Sequence, residues 1–286
     1  MLERDRVRPS PGIPLKNPLF FIGYPCLKSD VSTDPSHPDP KQGEREYYAR
    51  IGRSGINHAL GKPFTDDKCN LNLSNVTAIF HLLGDPPGRI AEFGCGVGWL
   101  AIMLARRGYD TVGVDIAPDA IAAGLAQRDA LGLTHLDFQL ADYESFDGEA
   151  NFDAVIFYEA LHHAEDEAAA IACAYRALKP GGVMIAFEPG QGHSGTAEAQ
   201  EAVAQFGVHE KDMPIAKIVA LATAVGFRRH LTLPQPWDFL RTVYRPSYRH
   251  AGSSAEAGRK FVLGVWRAFR RFFFLRQDQS FVVLWK

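Results

Sequence analysis

The chain has 286 residues, of which 46% are hydrophobic, a formal net charge of −2 and four cysteines. This length and apolar share suit one large domain with appendages and an ample core, and the near-neutral charge excludes a global pull toward nucleic acid. Cys26, Cys69, Cys95 and Cys173 form no C-x-x-C pair, which argues for a reducing cytoplasm and against a disulfide framework or a zinc site. The start, Met1 to Arg6, has no apolar stretch of a secretory signal, and no run of 18 apolar residues suggests a membrane span.

Residues 1–43 are rich in Pro and Gly, with Pro35, Pro38 and Pro40 in one polar tract. They read as an extended arm, interrupted by Leu19-Phe20-Phe21-Ile22, a segment suited to docking on something apolar. Residues 44–87 read as a helical cap, with one helix through Glu44 to Ile51, another through Val76 to Leu83, and a loop at Gly61-Lys62-Pro63-Phe64. Residues 88–233 alternate strand and helix, the pattern of a parallel sheet. Arg89 to Phe93 reads as a short buried strand, followed by glycines at 94, 96 and 98 and a helix from Trp99 through Ala105. Thr111 to Val114 is a second strand, closed by Asp115. Pro118 suits the first turn of the next helix and Asp119 complements its dipole. Phe152 to Phe157 is a further strand, and Lys179-Pro180-Gly181-Gly182 reads as the turn before another. Residues 234–286 form a tail with a basic aromatic stretch and a terminal strand, Phe281 to Trp285.

Strand, glycine turn and helix N-terminus make a place where backbone approaches a ligand closely. An acid at the end of the next strand can accept ribose hydroxyls. A dinucleotide fingerprint needs a glycine where Trp99 stands, which disfavours a nicotinamide oxidoreductase. The spacing Glu92-Phe93-Gly94-Cys95-Gly96-Val97-Gly98, followed in order by Asp115, Ala141-Asp142-Tyr143, the strand at Phe152 and Lys179-Pro180-Gly181-Gly182, resembles the class I S-adenosylmethionine-dependent methyltransferases over roughly residues 88–190. The resemblance implies a Rossmann-like, doubly wound α/β sheet of seven strands in the order 3-2-1-4-5-7-6, the last antiparallel and lying beside Phe227 to Leu233. It also implies S-adenosylmethionine as cofactor.

On that resemblance Gly94, Cys95, Gly96 and Gly98 pass close to the methionyl part of the cofactor, with Cys95 read as a small residue that fits rather than a reactive thiol. Glu92 suits the cofactor's ammonium group, or else caps the following turn. Asp115 grips the ribose, Ile116 packs on the adenine, Asp142 accepts from the adenine amino group, Tyr143 supplies wall, and Tyr158 lies near the sulfonium. Tyr158-Glu159-Ala160-Leu161-His162-His163 resembles the Leu-His-His segment of small-molecule members. His162 or His163 could serve as general base for an alcohol acceptor, with Glu159 counted beside them. One histidine packing beneath the cofactor and the other capping a helix is the competing reading. Glu188 and His193 in a flexible rim loop, and His58 and Lys62 in the cap, are candidates for substrate contact. Three histidines invite a metal reading, but no H-x-x-x-H or carboxylate spacing supports one, so no metal is expected.

From Arg259 to Arg276 six basic residues occur without an acid, and Phe261, Val262, Val265, Trp266, Phe269, Phe272 and Phe273 recur at helical spacing. Such a helix can lie on an anionic membrane surface, pack its apolar stripe on the sheet, or present arginines to a phosphate- or carboxylate-bearing substrate. The sequence leaves all three open. The function expected is methylation, most simply of oxygen, on a small or lipid-linked acceptor such as a glycan-precursor hydroxyl or a quinone-like phenol. N-methylation of a metabolite and a non-catalytic cofactor-binding subunit are the alternatives; nucleic acid is not an expected partner.

Overall fold

The computed structural model describes residues 39–244, 250–274 and 280–286. Most of the Pro-rich arm, including its Leu19-Phe20-Phe21-Ile22 segment, lies outside the described residues.

Two helices come first, α1 (Gln42–Leu60) and α2 (Cys69–Leu83). There follow β1 (Arg89–Phe93), α3 (Trp99–Arg107), β2 (Asp110–Asp115), α4 (Pro118–Leu131), β3 (Leu136–Leu140), β4 (Phe152–Tyr158), α5 (Glu167–Ala177) and β5 (Leu178–Phe187). The remaining elements are α6 (Ala197–Phe206), α7 (Ile215–Val225), β6 (Arg229–Pro234), α8 (Pro236–Val243), α9 (Ser254–Phe274) and β7 (Ser280–Trp285). The strands form one sheet in the order β3-β2-β1-β4-β5-β7-β6, the order implied by the motifs. β1 through β5 pair in parallel, and β7 is antiparallel to both its neighbours.

The strand sequences explain the layering. Successive side chains point to opposite faces, and here both faces are covered, so the central strands are apolar throughout. Ala91, Phe93, Val155 and Phe157 meet Ile171 and Ala174 of α5 and Ile218 and Ala222 of α7 on one face. Ile90, Ala154 and Ile156 meet Ile79 of α2 and Leu100 and Leu104 of α3 on the other. Local signals set the helix ends: Pro118 opens α4 in its first turn, Asp166 caps α5 by accepting from the Ala169 N–H, and Gly108 and Gly132 end α3 and α4 in left-handed conformations.

One expectation needs correction. Lys179-Pro180-Gly181-Gly182 is no separate turn; it lies inside β5 as a bulge, because Phe152 pairs with Leu178 and Ala154 already pairs with Val183. Of the three arrangements open to α9, packing of its apolar stripe on the sheet is not the one observed. Between Ser254 and Arg270 only Gly264 and Ala268 are buried, whereas Phe261, Val262, Val265 and Trp266 are exposed. No helix among the described residues is long and apolar enough to cross a membrane.

Candidate functional site

The carboxyl ends of β1, β2, β4 and β5 build one rim. The turn between β1 and α3 has Gly94, Gly96 and Gly98 at φ of 73°, 54° and 79°, a region that L side chains avoid. Packing imposes the same choice. A Cβ on Gly94 would lie 2.5 Å from the Ala160 Cβ, one on Gly96 2.2 Å from the Tyr48 hydroxyl, and one on Gly98 2.2 Å from the Phe138 ring. The glycines let the protein's own groups close on the turn, as well as shaping it for a ligand.

Two carboxylates face this turn from within the fold. Asp115 is buried and ties the glycine turn to the end of β2, accepting from the Gly96 N–H at 2.7 Å and from the nearby Ala117 N–H at 2.9 Å. Burial raises its pKa against those two hydrogen bonds. Glu92 is 3% exposed. One of its oxygens accepts from the Ala101 N–H in the first turn of α3, while Oε2 is buried with no hydrogen-bond partner. Burial, helped by the nearby Asp115 charge, pushes the Glu92 carboxyl well above its usual range. Glu92 therefore caps the helix through one oxygen and keeps the other unsatisfied. An ammonium group beside Glu92 Oε2 would supply the missing donor, and S-adenosylmethionine carries one. Cys95 is buried among Ala101, Ile102 and Phe138, and burial raises its thiol pKa, which suits a packing residue rather than a reactive one. Ile116 is half-buried at the end of β2.

The other candidates fall into place around the turn. The Asp142 carboxylate is engaged by Lys41 Nζ at 2.7 Å and by the Glu144 N–H at 2.9 Å, and Lys41 also reaches Glu144 at 2.8 Å. Burial opposes the Lys41 charge, but these two carboxylates prevail and raise its pKa. Tyr143 lies below the turn, stacked on Phe93 and donating to the Ala160 carbonyl at 3.0 Å. Tyr158 points to the α2 side, donating to Asn72 Oδ1 at 2.8 Å and accepting from Asn75 Nδ2 at 3.0 Å. Its ring packs edge-on against Trp99, next to the last glycine. Glu159 is half-buried and has φ of 49°, a strained conformation for a residue with a side chain.

After β4 a single 3-10 turn, Leu161–His163, carries the two histidines. Glu188, expected in a flexible loop, is instead buried and holds this turn. Its carboxylate accepts from the N–H groups of Ala160, Leu161 and His162 and from His162 Nδ1 at 2.7 Å. His162 also lies 3.5 Å from Glu210 through Nε2. Burial disfavours the His162 charge, but the hydrogen bonds to Glu188 and Glu210 outweigh it and raise the pKa to about 9. His163 is less enclosed. Its Nδ1 sits 2.6 Å from the His209 carbonyl, which can only accept, so Nδ1 carries a proton and Nε2 holds the lone pair when the ring is neutral. His193 donates through Nε2 to Glu210 at 2.6 Å. Thus His162, His163, Glu188 and His193 converge. His58 lies exposed on α1 and Lys62 pairs with Asp66 at 3.3 Å, away from that cluster's hydrogen bonds.

Three residues escaped the sequence reading. Tyr48 of α1 lies on Gly96 and accepts from the Val97 N–H. Together with Ile56, Ala59 and Leu60 it packs on Val97, Ala117, Ala120 and Ala123, so α1 covers the glycine turn. Lys41 and Glu210 are the others. Lys41 stood in the presumed extended arm, and no motif marks Glu210.

Residues 91–186 match the family model described as a methyltransferase domain. This segment is a methyltransferase domain. Its type is class I, S-adenosylmethionine-dependent. The chain is 38% identical over 99 residues to a ubiquinone biosynthesis O-methyltransferase of Methylocella silvestris, across 34% of this chain and 38% of that protein. It is 33% identical over 126 residues to the protein of that name from Alkalilimnicola ehrlichii, across 43% and 49%. The chain therefore spans 38% to 49% of the length of these curated relatives. Among solved structures, Haemonchus contortus phosphoethanolamine N-methyltransferase 2 in complex with S-adenosyl-L-methionine aligns with a TM-score of 0.59 at 20% identity, over 86% of this chain and 59% of that one. Geranyl diphosphate C-methyltransferase from Streptomyces coelicolor A3(2) aligns at 0.56 and 15%, over 86% and 97%. At these identities the likeness is one of fold.

Proposed function

We propose that the protein transfers a methyl group from S-adenosylmethionine to an oxygen of a small or lipid-linked acceptor. The observation that carries this reading is the glycine turn flanked by two buried acids, with Glu92 Oε2 lacking a donor, inside a methyltransferase domain. The backbone of Gly94 to Gly98, Glu92, Asp115, Ile116, Asp142 and Tyr143 would hold the cofactor, with Tyr158 behind the turn and Tyr48 over it. When bound, S-adenosylmethionine supplies a methyl group already activated by a sulfonium.

The chain's own residues then have three tasks. Glu188 fixes the Leu161–His163 turn through three backbone N–H groups and so positions the acceptor side of the rim. His162, charged at neutral pH by its carboxylate partners, orients and does not accept a proton. His163, with Nδ1 tied to a carbonyl, offers Nε2 as the base for an acceptor hydroxyl. The catalytic candidates thereby narrow to His163, with the His162 ring packed against it and Glu188 holding the turn that carries both; Glu159 is given no role in the proton transfer. The curated relatives' name, an O-methyltransferase of ubiquinone biosynthesis, supports an oxygen acceptor of quinone-like character.

The exposed stripe of α9 supports the lipid-linked form. Phe261, Val262, Val265 and Trp266 are exposed beside Arg259, Lys260, Arg267 and Arg270, which suits peripheral contact with an anionic bilayer. The test is incubation with methyl-labelled cofactor and host extract separated into organic, polymeric and small aqueous fractions. We expect alkali-stable label on oxygen, in the organic fraction if α9 faces lipid. His163→Ala should lower turnover by about a hundredfold with little change in cofactor affinity. Label on nitrogen, or no label despite cofactor binding, would overturn the O-methylation reading.

A further inference from the structure

One cluster of ligating side chains has more capacity than methyl transfer uses. His162, His193 and Glu210 each offer a ligand atom, and these atoms lie within 4.8 Å of one another. Glu210 Oε2 is 2.6 Å from His193 Nε2 and 3.5 Å from His162 Nε2. We propose that these three residues bind a divalent transition-metal ion, Zn2+ being the type.

Each residue is held for the task. The Nδ1 of His162 is engaged by Glu188 at 2.7 Å, the carboxylate–histidine pairing that fixes tautomer and ring orientation in metal centres and leaves Nε2 for the ion. The loop bearing His193 is clamped by Asp212, which accepts from the Gly192 N–H at 2.9 Å, the Ser194 N–H at 2.8 Å and the Ser194 hydroxyl at 2.9 Å. Glu210 is set beside His162 because the next residue, Lys211, donates its N–H to the His162 carbonyl at 3.3 Å. With metal–ligand bonds of about 2.0–2.2 Å, ligand atoms around one ion lie at most about 4.4 Å apart. The widest separation must close by a few tenths of an ångström, and the hydrogen bond between His193 and Glu210 must open as the ion enters. The ion replaces the Nε2 protons that now face Glu210.

The donor set chooses the ion. Two imidazoles and one carboxylate favour Zn2+, Co2+, Fe2+ or Mn2+ over Mg2+ and Ca2+, which prefer oxygen alone. Three protein ligands leave coordination positions open, as in sites that receive a water or a substrate oxygen rather than closed structural sites. His193 and Glu210 keep 23% and 12% of their side chains exposed, so the site has an entry. Metal binding here goes beyond the methyl-transfer reading and stands without it.

The test uses the full chain, stripped with a chelator and then equilibrated with Zn2+ for metal analysis and with Co2+ for visible absorption. We expect one Zn2+ per chain and Co2+ ligand-field bands. His193→Ala and Glu210→Gln should each weaken Zn2+ binding at least tenfold, and Glu188→Gln by about 10–100-fold through loss of His162 orientation. The far-ultraviolet spectrum and S-adenosylmethionine binding of the His193→Ala and Glu210→Gln variants should be unchanged, which separates this outcome from misfolding and from failure of the cofactor site. Zn2+ uptake by the wild type no greater than that of the His193→Ala/Glu210→Gln double variant would reduce the cluster to a set of ion pairs and overturn the proposal.

Discussion

Replacing Glu92 by Gln should make the ligand-free protein more stable. The wild-type carboxyl is buried, has one oxygen without a partner and lies near the Asp115 charge. Glutamine keeps the shape and the oxygen that accepts from Ala101, and removes the charge. An unpaired buried polar group costs about 1–3 kcal/mol, more when charged, and the new amide N–H group takes back part of the gain. A net gain of about 1–2 kcal/mol is expected, or about 2–8 °C in Tm for a chain of this size. The sign with pH follows from linkage. The folded carboxyl titrates above its ordinary value of 4.5, so the native state binds more protons than the unfolded state between the two values. Wild-type stability therefore falls as pH rises from 4.5 through the folded pKa, and the glutamine variant lacks that loss. Urea denaturation of both proteins at pH 5.5 and 8.5 checks it: the variant's advantage should be larger at pH 8.5. An advantage independent of pH, or a variant less stable at pH 8.5, would refute the claim that Glu92 is held against its charge. Affinity for S-adenosylmethionine should fall about tenfold in the same variant, the value of roughly 1.4 kcal/mol.

Other perturbations test the surrounding contacts. Gly96→Ala places a Cβ 2.2 Å from the Tyr48 hydroxyl at a φ of 54° and should cost about 1–3 kcal/mol; Tyr48→Phe in the same chain should recover part of it, seen as a coupling term in a double-mutant cycle by urea denaturation. Lys41→Met leaves Asp142 and Glu144 facing each other without their shared cation and should lower stability by about 1–2 kcal/mol, with the loss shrinking at high salt. Tyr158→Phe strands the Asn72 and Asn75 side chains of α2 and should cost about 1–3 kcal/mol in thermal denaturation. Trp266 emission should shift to the blue with phosphatidylglycerol vesicles and stay unchanged with phosphatidylcholine; an unchanged spectrum with both removes α9 as a lipid contact.

The sheet was legible because its signals are local. Apolar runs of strand length, glycines where φ is positive, and Pro118 at a helix start each carry their meaning within a few residues. The bulge in β5 was missed because Lys179-Pro180-Gly181-Gly182 has turn chemistry, and only the pairing of Phe152 with Leu178 shows that the strand begins before it. Glu92, Asp115 and the glycines were marked together by the motifs and the resemblance they carry, and the fold brings them to one turn. Lys41, Tyr48 and Glu210 were not. Lys41 meets Asp142 across 101 residues, and Tyr48 gains its place only when α1 folds over the glycine turn. Glu188 was read correctly as a rim residue and wrongly as a loose one, since nothing local reveals that one carboxylate takes three backbone N–H groups from a turn 26 residues earlier. The stripe of α9 was left open by the sequence: helical spacing of apolar residues usually marks a buried face, and here Gly264 and Ala268 take that position instead.

Calorimetric titration of the wild-type chain with S-adenosylmethionine, alongside Asp115→Ala and an NADH control, addresses the cofactor site directly. We expect a saturable single site in the wild type, loss of at least a hundredfold in affinity in Asp115→Ala, and no heat with NADH. A folded wild type that takes up no S-adenosylmethionine, or binds it as well after Asp115→Ala, would contradict the assignment of the glycine turn and its two acids as the cofactor site.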